Sequence, residues 1–556
     1  MLYIIGLTEV KEGSKKIIQR LSENERVSGS FIENAIATIK TENRLSKIKD
    51  LYKFGDTEAE QLLNIALELS ITWINRILFL KLLEAQLVSF HKNEKYKFLE
   101  ISTITNFNEL NELFFDILAK QINEREGFIK KELKNIPYLN SSLFEISNLE
   151  DNSVRINSLK DRLTMPVYSH TVLTDKKKTN IPTLEYLFEF LNAFNFTNEG
   201  ADEIQEENKS LINASVLGLI FEKINGYKEG SFFTPGYITM YMSRETIRRA
   251  VIQKFKENGY QLSEIDPLQG KLSESFEELK AKIENRQEAN QIINSIKIID
   301  PAVGSGHFLV SALNEIIAIK SELNILSYKS GRRILDFKVE VVNDDLIITN
   351  HETEEIFEYT LNKKGNIIPY KQDLQEAIFN EKQTIIENCL FGVDINPNSV
   401  NICRLRLWIE LLKHTFYTKE SKYAELETLP NIDINIKQGN SLVSNFGING
   451  NGLANGQSQK IKLATQKYKD QVILYKSTDN KQVKKDAEKK ITEIKEMFSN
   501  VVRPLDKDYK LLKEKEAKLG EMPMLFTQED KDNWEKQRAE LYSEIEELKK
   551  NLEQKR

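Results

Sequence analysis

The 556-residue sequence predicts an α/β protein in which a doubly wound, Rossmann-like core follows a large helical domain and precedes a charged helical hairpin. Three observations support this prediction. Strand patterns alternate with helix patterns from Ile296 onward, which favours a parallel sheet with right-handed crossovers. Apolar residues recur at spacings of three and four between Ser30 and Ile129. Beyond Lys481, roughly half of the residues are ionised, with the two signs interspersed.

The same patterns suggest domain boundaries. We expect a mainly helical domain at residues 1–210, the α/β core at residues 211–459, and a charged helical insertion or coiled-coil-like hairpin at residues 460–556. Within the core, strand-like alternation around Asn-Asp-Asp predicts a β-hairpin inserted near residues 335–362.

Composition and charge exclude several classes of protein. The net charge is −6, from 78 basic and 84 acidic residues, so the whole molecule is no polycation, although a local basic groove is compatible with this charge. Two cysteines are too few for a disulfide framework, and no Cys/His cluster suggests zinc. The most apolar stretch, Leu62–Val88, carries Arg76, Lys81 and Glu84, which favours a buried soluble helix over a membrane span. We therefore expect a cytoplasmic protein.

A glycine-rich turn lies between a strand pattern and a helix pattern in DPAVGSGHFL, residues 300–309. Asp300 ends the strand, and Gly304 and Gly306 bring the backbone close to a ligand or simply make a tight structural turn. Leu309 takes the place of the third glycine of the dinucleotide fingerprint. The turn therefore favours an uncharged or zwitterionic nucleoside over a pyrophosphate.

A second strand–turn–helix unit occurs in FGVDINPNSV, residues 391–400. Asp394 ends its strand, where a carboxylate accepts two hydrogen bonds from a ribose diol. The alternative is that Asp394 caps the following helix at Asn398 or Ser399.

These two units resemble motifs I and II of the S-adenosylmethionine-dependent DNA adenine-N6 methyltransferases. GSFFTPG, residues 230–236, is similar to their motif X, and QGNSL, residues 438–442, to motif III. The order X, I, II, III is that of the gamma class. IPYLNSSLFE (136–145) and FIENAIATIK (31–40) are similar to the helical region of the type IIG restriction–modification enzymes. The resemblance implies a DNA methyltransferase with S-adenosylmethionine as cofactor and, in the complete enzyme, double-stranded DNA as partner.

The resemblance also implies a set of cofactor-binding residues: Phe233, Thr234, Pro235, Asp300, Ala302, Gly304, Gly306, Phe308, Asp394, Ile395, Asn440 and Leu442. Residues 233–235 would contact the methionine moiety and residues 300–306 the amino acid and ribose. Asp394 would bind the ribose hydroxyls, Ile395 the adenine ring, and Asn440 the adenine amino group. The alternative for Thr234 and Pro235 is an ordinary helix entry, with Thr as N-cap and Pro at the first helical position.

The sequence departs from the family pattern in one respect. Motif IV, Asn-Pro-Pro followed by an aromatic residue, is absent from the 556 residues, so no catalytic residue is assigned. We expect that the chain stops at Arg556 before this motif and before a target-recognition domain, and that a second polypeptide would supply both. The alternative is a non-catalytic fragment that binds the cofactor or another protein. Glu9 and Lys11 match a nuclease Glu-x-Lys only as a chance tripeptide.

Overall fold

The computed structural model describes residues 1–12, 15–48, 51–125, 130, 133–134, 136–139, 142–173, 179–196, 211–212, 234–263, 272–430, 432–442, 455–477, 481–502, 507–520 and 528–554. The chain divides into two compact units. Unit 1 comprises residues 1–392 and 398–436, and unit 2 comprises residues 393–397 and 437–556.

The described N-terminal part of unit 1 is dominated by helices. They are α1 (Leu2–Ile5), α2 (Phe31–Thr41), α3 (Glu58–His91), α4 (Phe107–Glu112), α5 (Asn148–Asn152) and α6 (Thr183–Asn192). Short strands pair two by two: β1 (Leu7–Glu12) with β2 (Lys15–Arg20), β3 (Thr164–Pro166) with β4 (Asn180–Pro182), and β5 (Asn195–Phe196) with β6 (Leu211–Ile212).

Helix α3 is the central element of this part. It begins with a capping box in which Thr57 Oγ1 accepts from the N–H of Glu60, and the Glu60 carboxylate accepts from the N–H of Thr57. By length and composition α3 would be able to cross a membrane, with a mean hydropathy of 1.3 in its most apolar window. However, 78% of that window is buried inside the protein. The helix is therefore explained as a core helix surrounded by other helices.

A charged side chain within α3 is fully paired. The guanidinium of Arg76 is 2% exposed and donates to the Glu150 carboxylate at 2.5 and 2.8 Å, and to the carbonyl oxygens of Leu143 and Glu145. Trp73 Nε1 also donates to Glu150, at 3.0 Å. Burial alone would raise the pKa of Glu150, but the Arg76 charge outweighs burial and lowers it. The pair therefore ties α3 to α5.

The C-terminal part of unit 1 alternates helices with strands. Its helices are α7 (Gly236–Glu257), α8 (Leu272–Lys282), α9 (Arg286–Asn294), α10 (His307–Glu322), α11 (Pro369–Asn388) and α12 (Pro397–Leu412). Its strands are β7 (Ile298–Asp300), β8 (Phe337–Val342), β9 (Asp345–Asn350), β10 (Leu390–Asp394) and β11 (Ile436–Gln438). The elements α12, β10 and β11 each extend by one to two residues into unit 2.

A small sheet organises this part. Its strand order is β11-β10-β7, and β10 pairs parallel to β7, with Leu390 opposite Ile298 and Gly392 opposite Asp300. Helices α10 and α11 lie between β7 and β10 in the chain, as a parallel pair requires. The expectation of a helix-rich α/β protein is confirmed in this general form.

The range in which the sequence predicts a hairpin contains the antiparallel pair β8–β9. Val342 lies opposite Asp345, so Asn343 and Asp344 form a two-residue turn. Both turn residues have positive φ, 52° and 69°, which is the backbone of a type I′ turn and suits Asn and Asp.

Unit 2 continues into charged helices. They are α13 (Asn455–Ser477), α14 (Lys481–Val502), α15 (Lys507–Gly520) and α16 (Gln528–Gln554). Helix α13 contacts α14, and α15 contacts α16, where Lys515 Nζ lies 2.6 Å from the Glu544 carboxylate. The charged segment thus comprises two helix pairs in its described residues.

We predict that Glu150→Gln destabilises the helical part strongly. The substitution leaves the buried Arg76 charge without its counter-charge, which typically costs about 3–5 kcal/mol. Asp151→Asn is the matched control, because Asp151 belongs to the same helix but pairs with Arg155 at the surface. Urea denaturation should show a large loss for the first variant and little change for the second. Equal losses would contradict a special contribution of the buried pair.

Candidate functional site

The turn after β7 has a defined hydrogen-bonding pattern. Asp300 Oδ1 accepts from the backbone N–H of Ala302 at 3.1 Å, so the side chain closes an Asx turn at the strand end. Gly304 and Gly306 follow with φ of 53° and 83°, and the N–H of Gly306 donates to the carbonyl of Val303. Helix α10 begins directly after this turn, and the side chain of Phe308 in its first turn is half-buried.

Gly306 is required by packing. A Cβ at this position would lie 2.7 Å from Cys403 Sγ, because the turn rests on helix α12. A Cβ on Gly392 in β10 would likewise lie 2.8 Å from Val303 Cγ2. Packing therefore gives a structural reason for glycine at position 306, while a contact of Gly306 with a cofactor stays a prediction. Gly392 and Cys403 support the turn and were not identified from the sequence, because they are distant from it in the chain.

The segment before α7 contains two of the predicted site residues. Pro235 is the N-cap of the helix, since its carbonyl oxygen accepts from the N–H groups of Ile238 and Thr239. Thr234 lies one residue further out, so the alternative of Thr as N-cap and Pro at the first helical position is wrong by one residue. Phe233 lies outside the described residues.

In unit 2 the end of β10 repeats the Asx turn. Asp394 Oδ1 accepts from the backbone N–H of Asn396 at 2.8 Å, and the carbonyl oxygen of Asp394 accepts from the N–H of Gly439. The neighbouring Ile395 is 67% exposed. An acidic strand-end side chain thus lies beside an exposed apolar one.

The residues after β11 form a third turn of this kind. Asn440 Oδ1 accepts from the backbone N–H of Leu442 at 3.0 Å, and the Leu442 side chain is 95% exposed. The turn determines the orientation of the Asn440 amide, because its oxygen faces the backbone of its own chain. Sequence patterns identify Asn440 by position but do not reveal this orientation.

Asp344 and Asp345 at the tip of the β8–β9 hairpin are buried, and Asp344 bonds to α10, the helix that follows the turn after β7. Ser311 Oγ of α10 donates to Asp344 Oδ1 at 2.7 Å, and Asn314 Nδ2 donates to the Asp344 carbonyl at 2.7 Å. Ser311 Oγ also lies 3.0 Å from Thr239 Oγ1 of α7, which is 2.8 Å from the carbonyl oxygen of Gly236. A continuous chain of polar atoms therefore runs from the hairpin to the first residue of α7.

Burial raises the pKa of Asp344 to about 7. The Ser311 hydroxyl and the Arg406 charge act in the opposite direction, whereas Glu410 and Asp345 raise the pKa further. Asp344 therefore changes its charge near neutral pH.

A buried ionic network adjoins the tip. Lys413 pairs with Asp345 of β9 and with Glu410, and Lys382 Nζ lies 2.9 Å from Glu410. Burial would raise the pKa of Glu410, but the two lysines outweigh burial and lower it. The network links the hairpin to α11 and α12.

Three parts of the chain match known protein families. A model of a domain of unknown function, DUF7814, matches residues 1–212. The model of the MmeI DNA-methyltransferase domain matches residues 276–447, and that of the Eco57I restriction-modification methylase matches residues 388–526. The predicted resemblance to methyltransferases of restriction–modification enzymes is thereby confirmed for this part of the chain.

Among curated proteins, the chain is 26% identical over 469 residues to a putative type II restriction enzyme and methyltransferase, RM.MjaORFECS2P, of Methanocaldococcus jannaschii. That match covers 79% of this chain and 31% of the relative. A match to the adenine-specific methyltransferase BrxX of Escherichia coli O9:H4 has 28% identity over 114 residues and covers 19% of this chain and 9% of the relative. The chain thus spans about a third or less of these relatives.

Among solved structures, the type IIL restriction-modification enzyme MmeI in complex with DNA aligns at a TM-score of 0.31 and 13% identity. The alignment covers 74% of this chain and 40% of that chain.

We predict that Gly306→Ala destabilises the protein more than Gly331→Ala. Both glycines have φ near +80°, so both variants suffer the cost of a left-handed Ala, about 1–2 kcal/mol. Only the Cβ at position 306 meets a close neighbour, whereas nothing lies within 4 Å of a Cβ at position 331. The difference between their melting temperatures measures the packing of the turn on Cys403. Equal losses would show that the backbone conformation alone requires Gly306.

We also predict that Asp344 makes stability pH-dependent. Its folded-state pKa is raised from 3.8 to about 7, so its contribution is full at low pH and is lost as pH rises towards 7. At about 1.4 kcal/mol per pKa unit, the effect is of order 4 kcal/mol. Asp344→Asn should flatten the decline in the free energy of unfolding between pH 4 and 8. Asp336→Asn, at an exposed site just before the hairpin, should retain the wild-type profile.

Proposed function

From the DNA-methyltransferase domains that residues 276–526 carry, we propose that this chain binds S-adenosylmethionine as part of an adenine-N6 DNA methyltransferase of a type IIG restriction–modification system. The proposal rests mainly on the position of Asp394 at the end of a strand. Asp394 ends β10 within both matched domains, its side chain is oriented by the Asx turn, and an exposed apolar residue follows it. A Rossmann-like, doubly wound arrangement of the core belongs to this proposal and is supported by the parallel β10–β7 pair.

In unit 2, we assign the nucleoside of the cofactor to the strand-end residues. A carboxylate has about four lone-pair positions, so ribose hydroxyls donating to Asp394 are compatible with its turn. Ile395 would cover the adenine ring by apolar contact. Asn440 and Leu442 would contact the edge of the adenine, with the amide orientation set by the turn.

In unit 1, we assign the methionine moiety of the cofactor, and the approach to its single ribose, to two loops. The first comprises Thr234 and Pro235, together with Phe233. The second runs from Asp300 through Ala302 and Gly304, whose backbone groups lie where the chain turns from strand to helix. Gly306 would act through the shape of this turn, and Phe308 would contribute apolar surface.

When bound, the cofactor supplies a methyl group on a positively charged sulfur for transfer to the amino nitrogen of adenine. The residues of this chain hold and orient it. A target base must leave the DNA duplex to reach such a methyl group. The acceptor for the target amino group would be an Asn-Pro-Pro motif, which these 556 residues lack. We therefore propose double-stranded DNA as the partner that presents the target adenine.

Several arginines of unit 1 are paired with carboxylates. Arginines with carboxylate partners are Arg248 with Glu315 and Glu322, Arg249 with Glu245, and Arg404 with Asp433. Arginines paired in this way offer less charge to DNA phosphates.

We predict that isothermal titration detects one S-adenosylmethionine per chain and that Asp394→Ala weakens binding by roughly 10- to 100-fold, because charge-assisted hydrogen bonds to the ribose are lost. Asp373→Ala, at an exposed position of α11, should bind as the wild type does.

Two further outcomes test the proposal. The absence of binding by the wild-type chain would contradict it. Transfer of a radiolabelled methyl group to DNA by the purified chain would show that methyl transfer does not require an Asn-Pro-Pro motif, while leaving cofactor binding intact.

A further inference from the structure

The hairpin tip bonds directly to α10 and, through Ser311, is linked to α7; these are the two helices that follow the proposed cofactor loops. Ser311 lies in the second turn of α10, soon after the Gly304–Gly306 turn, and Thr239 lies in the first turn of α7, directly after Thr234 and Pro235. Thr239, Ser311 and Asp344 are all buried. Hydroxyl groups in such surroundings remain bonded to one another, because a buried unpaired polar atom is costly.

We propose that Asp344, Ser311 and Thr239 are positioning residues for S-adenosylmethionine, which hold the start of α7 in register with the turn that begins α10. The inference rests on the proposed function and extends it to residues outside the cofactor-binding motifs. None of the three residues is assigned a contact with the cofactor. They act by fixing the relative place of the two loops, because each loop continues into the helix that carries one of the bonded hydroxyls.

The direction of the hydrogen bonds between Asp344 and the Gly236 carbonyl depends on the protonation of Asp344. An ionised Asp344 accepts from Ser311, so the Ser311 oxygen and the Gly236 carbonyl compete for the single hydroxyl hydrogen of Thr239. A neutral Asp344 donates to Ser311, which donates to Thr239, and Thr239 then donates to the Gly236 carbonyl. The neutral form therefore anchors the first residue of α7 more firmly.

Other charged groups face Asp344 and take part in this equilibrium. They are Arg406 and Glu410 of α12 and Asp345 of β9. Since burial places the pKa of Asp344 at about 7, both forms are populated between pH 6 and 8. Affinity for the cofactor should accordingly be higher at pH 6 than at pH 8.

The decisive experiment compares Ser311→Ala with Ser321→Ala by cofactor titration of the full chain. Both serines lie on α10 and both bond to the hairpin, but Ser321 accepts from the N–H of Val339, at the other end of the helix. Ser311→Ala should lose roughly tenfold in affinity for S-adenosylmethionine, because the loops lose their common register. Ser321→Ala should bind as the wild type does, although both variants should melt at a lower temperature.

A second variant guards against loss of folding. Thr239→Val keeps the shape of the side chain and should also weaken binding, with an unchanged circular dichroism spectrum.

Asp344→Asn keeps an acceptor and a donor, so it should retain affinity at pH 6 and show a smaller dependence on pH than the wild type. Ionisation of the cofactor itself affects both proteins equally. The difference between their pH profiles of affinity therefore reports only the titration of Asp344.

The outcomes separate the two proposals. If the wild type binds and Ser311→Ala and Thr239→Val bind equally well, the positioning role is overturned and the proposed function stands. If both serine variants weaken binding equally, the effect is general destabilisation and the positioning role is again overturned. If the wild type binds no cofactor, the proposed function fails, and this inference fails with it.

Discussion

The burial of two adjacent carboxylates at a hairpin tip constrains the α/β part of this protein. Removing Asp344 and Asp345 from water is costly unless each finds partners. The partners come from different elements: Ser311 and Asn314 from α10, and Lys413 from the segment after α12. Since each partner must remain in place, the helices cannot shift independently of the hairpin. The β8–β9 hairpin, inserted between β7 and β10, therefore connects α10 to the segment after α12.

The same principle operates in the helical domain. Arg76 and Glu150 are paired in the core and surrounded by apolar side chains, among them Trp73. A buried ion pair adds little net stability over a well-packed apolar pair, but it penalises any arrangement in which one partner is left alone. In both parts of unit 1, a buried ion pair joins residues that are far apart in the sequence. Each pair disfavours any packing in which its two partners are separated.

Local patterns account for what the sequence predicted. Strand–helix alternation predicts the sequence of elements around β7 and β10, and strand-like alternation around Asn-Asp-Asp predicts the hairpin, whose type I′ turn is seen only in the structure. Long-range packing accounts for what it did not. The contact of Gly306 with Cys403 joins residues almost a hundred positions apart, and Asp344 is buried although a polar hairpin turn normally lies in solvent. The N-cap at Pro235 differs by one residue because helix boundaries depend on which carbonyl accepts first.

The close approach of the turn to α12 has an evolutionary consequence. A side chain at position 306 would collide with the sulfur, the Cβ and the Cα of residue 403, so the two positions are coupled. Enlargement at 306 requires prior reduction at 403, and even then only a residue that tolerates left-handed φ would be accepted. Related sequences should therefore covary at these positions, with glycine at 306 nearly fixed and small residues at 403. The order of substitution is imposed by space alone, independently of any cofactor.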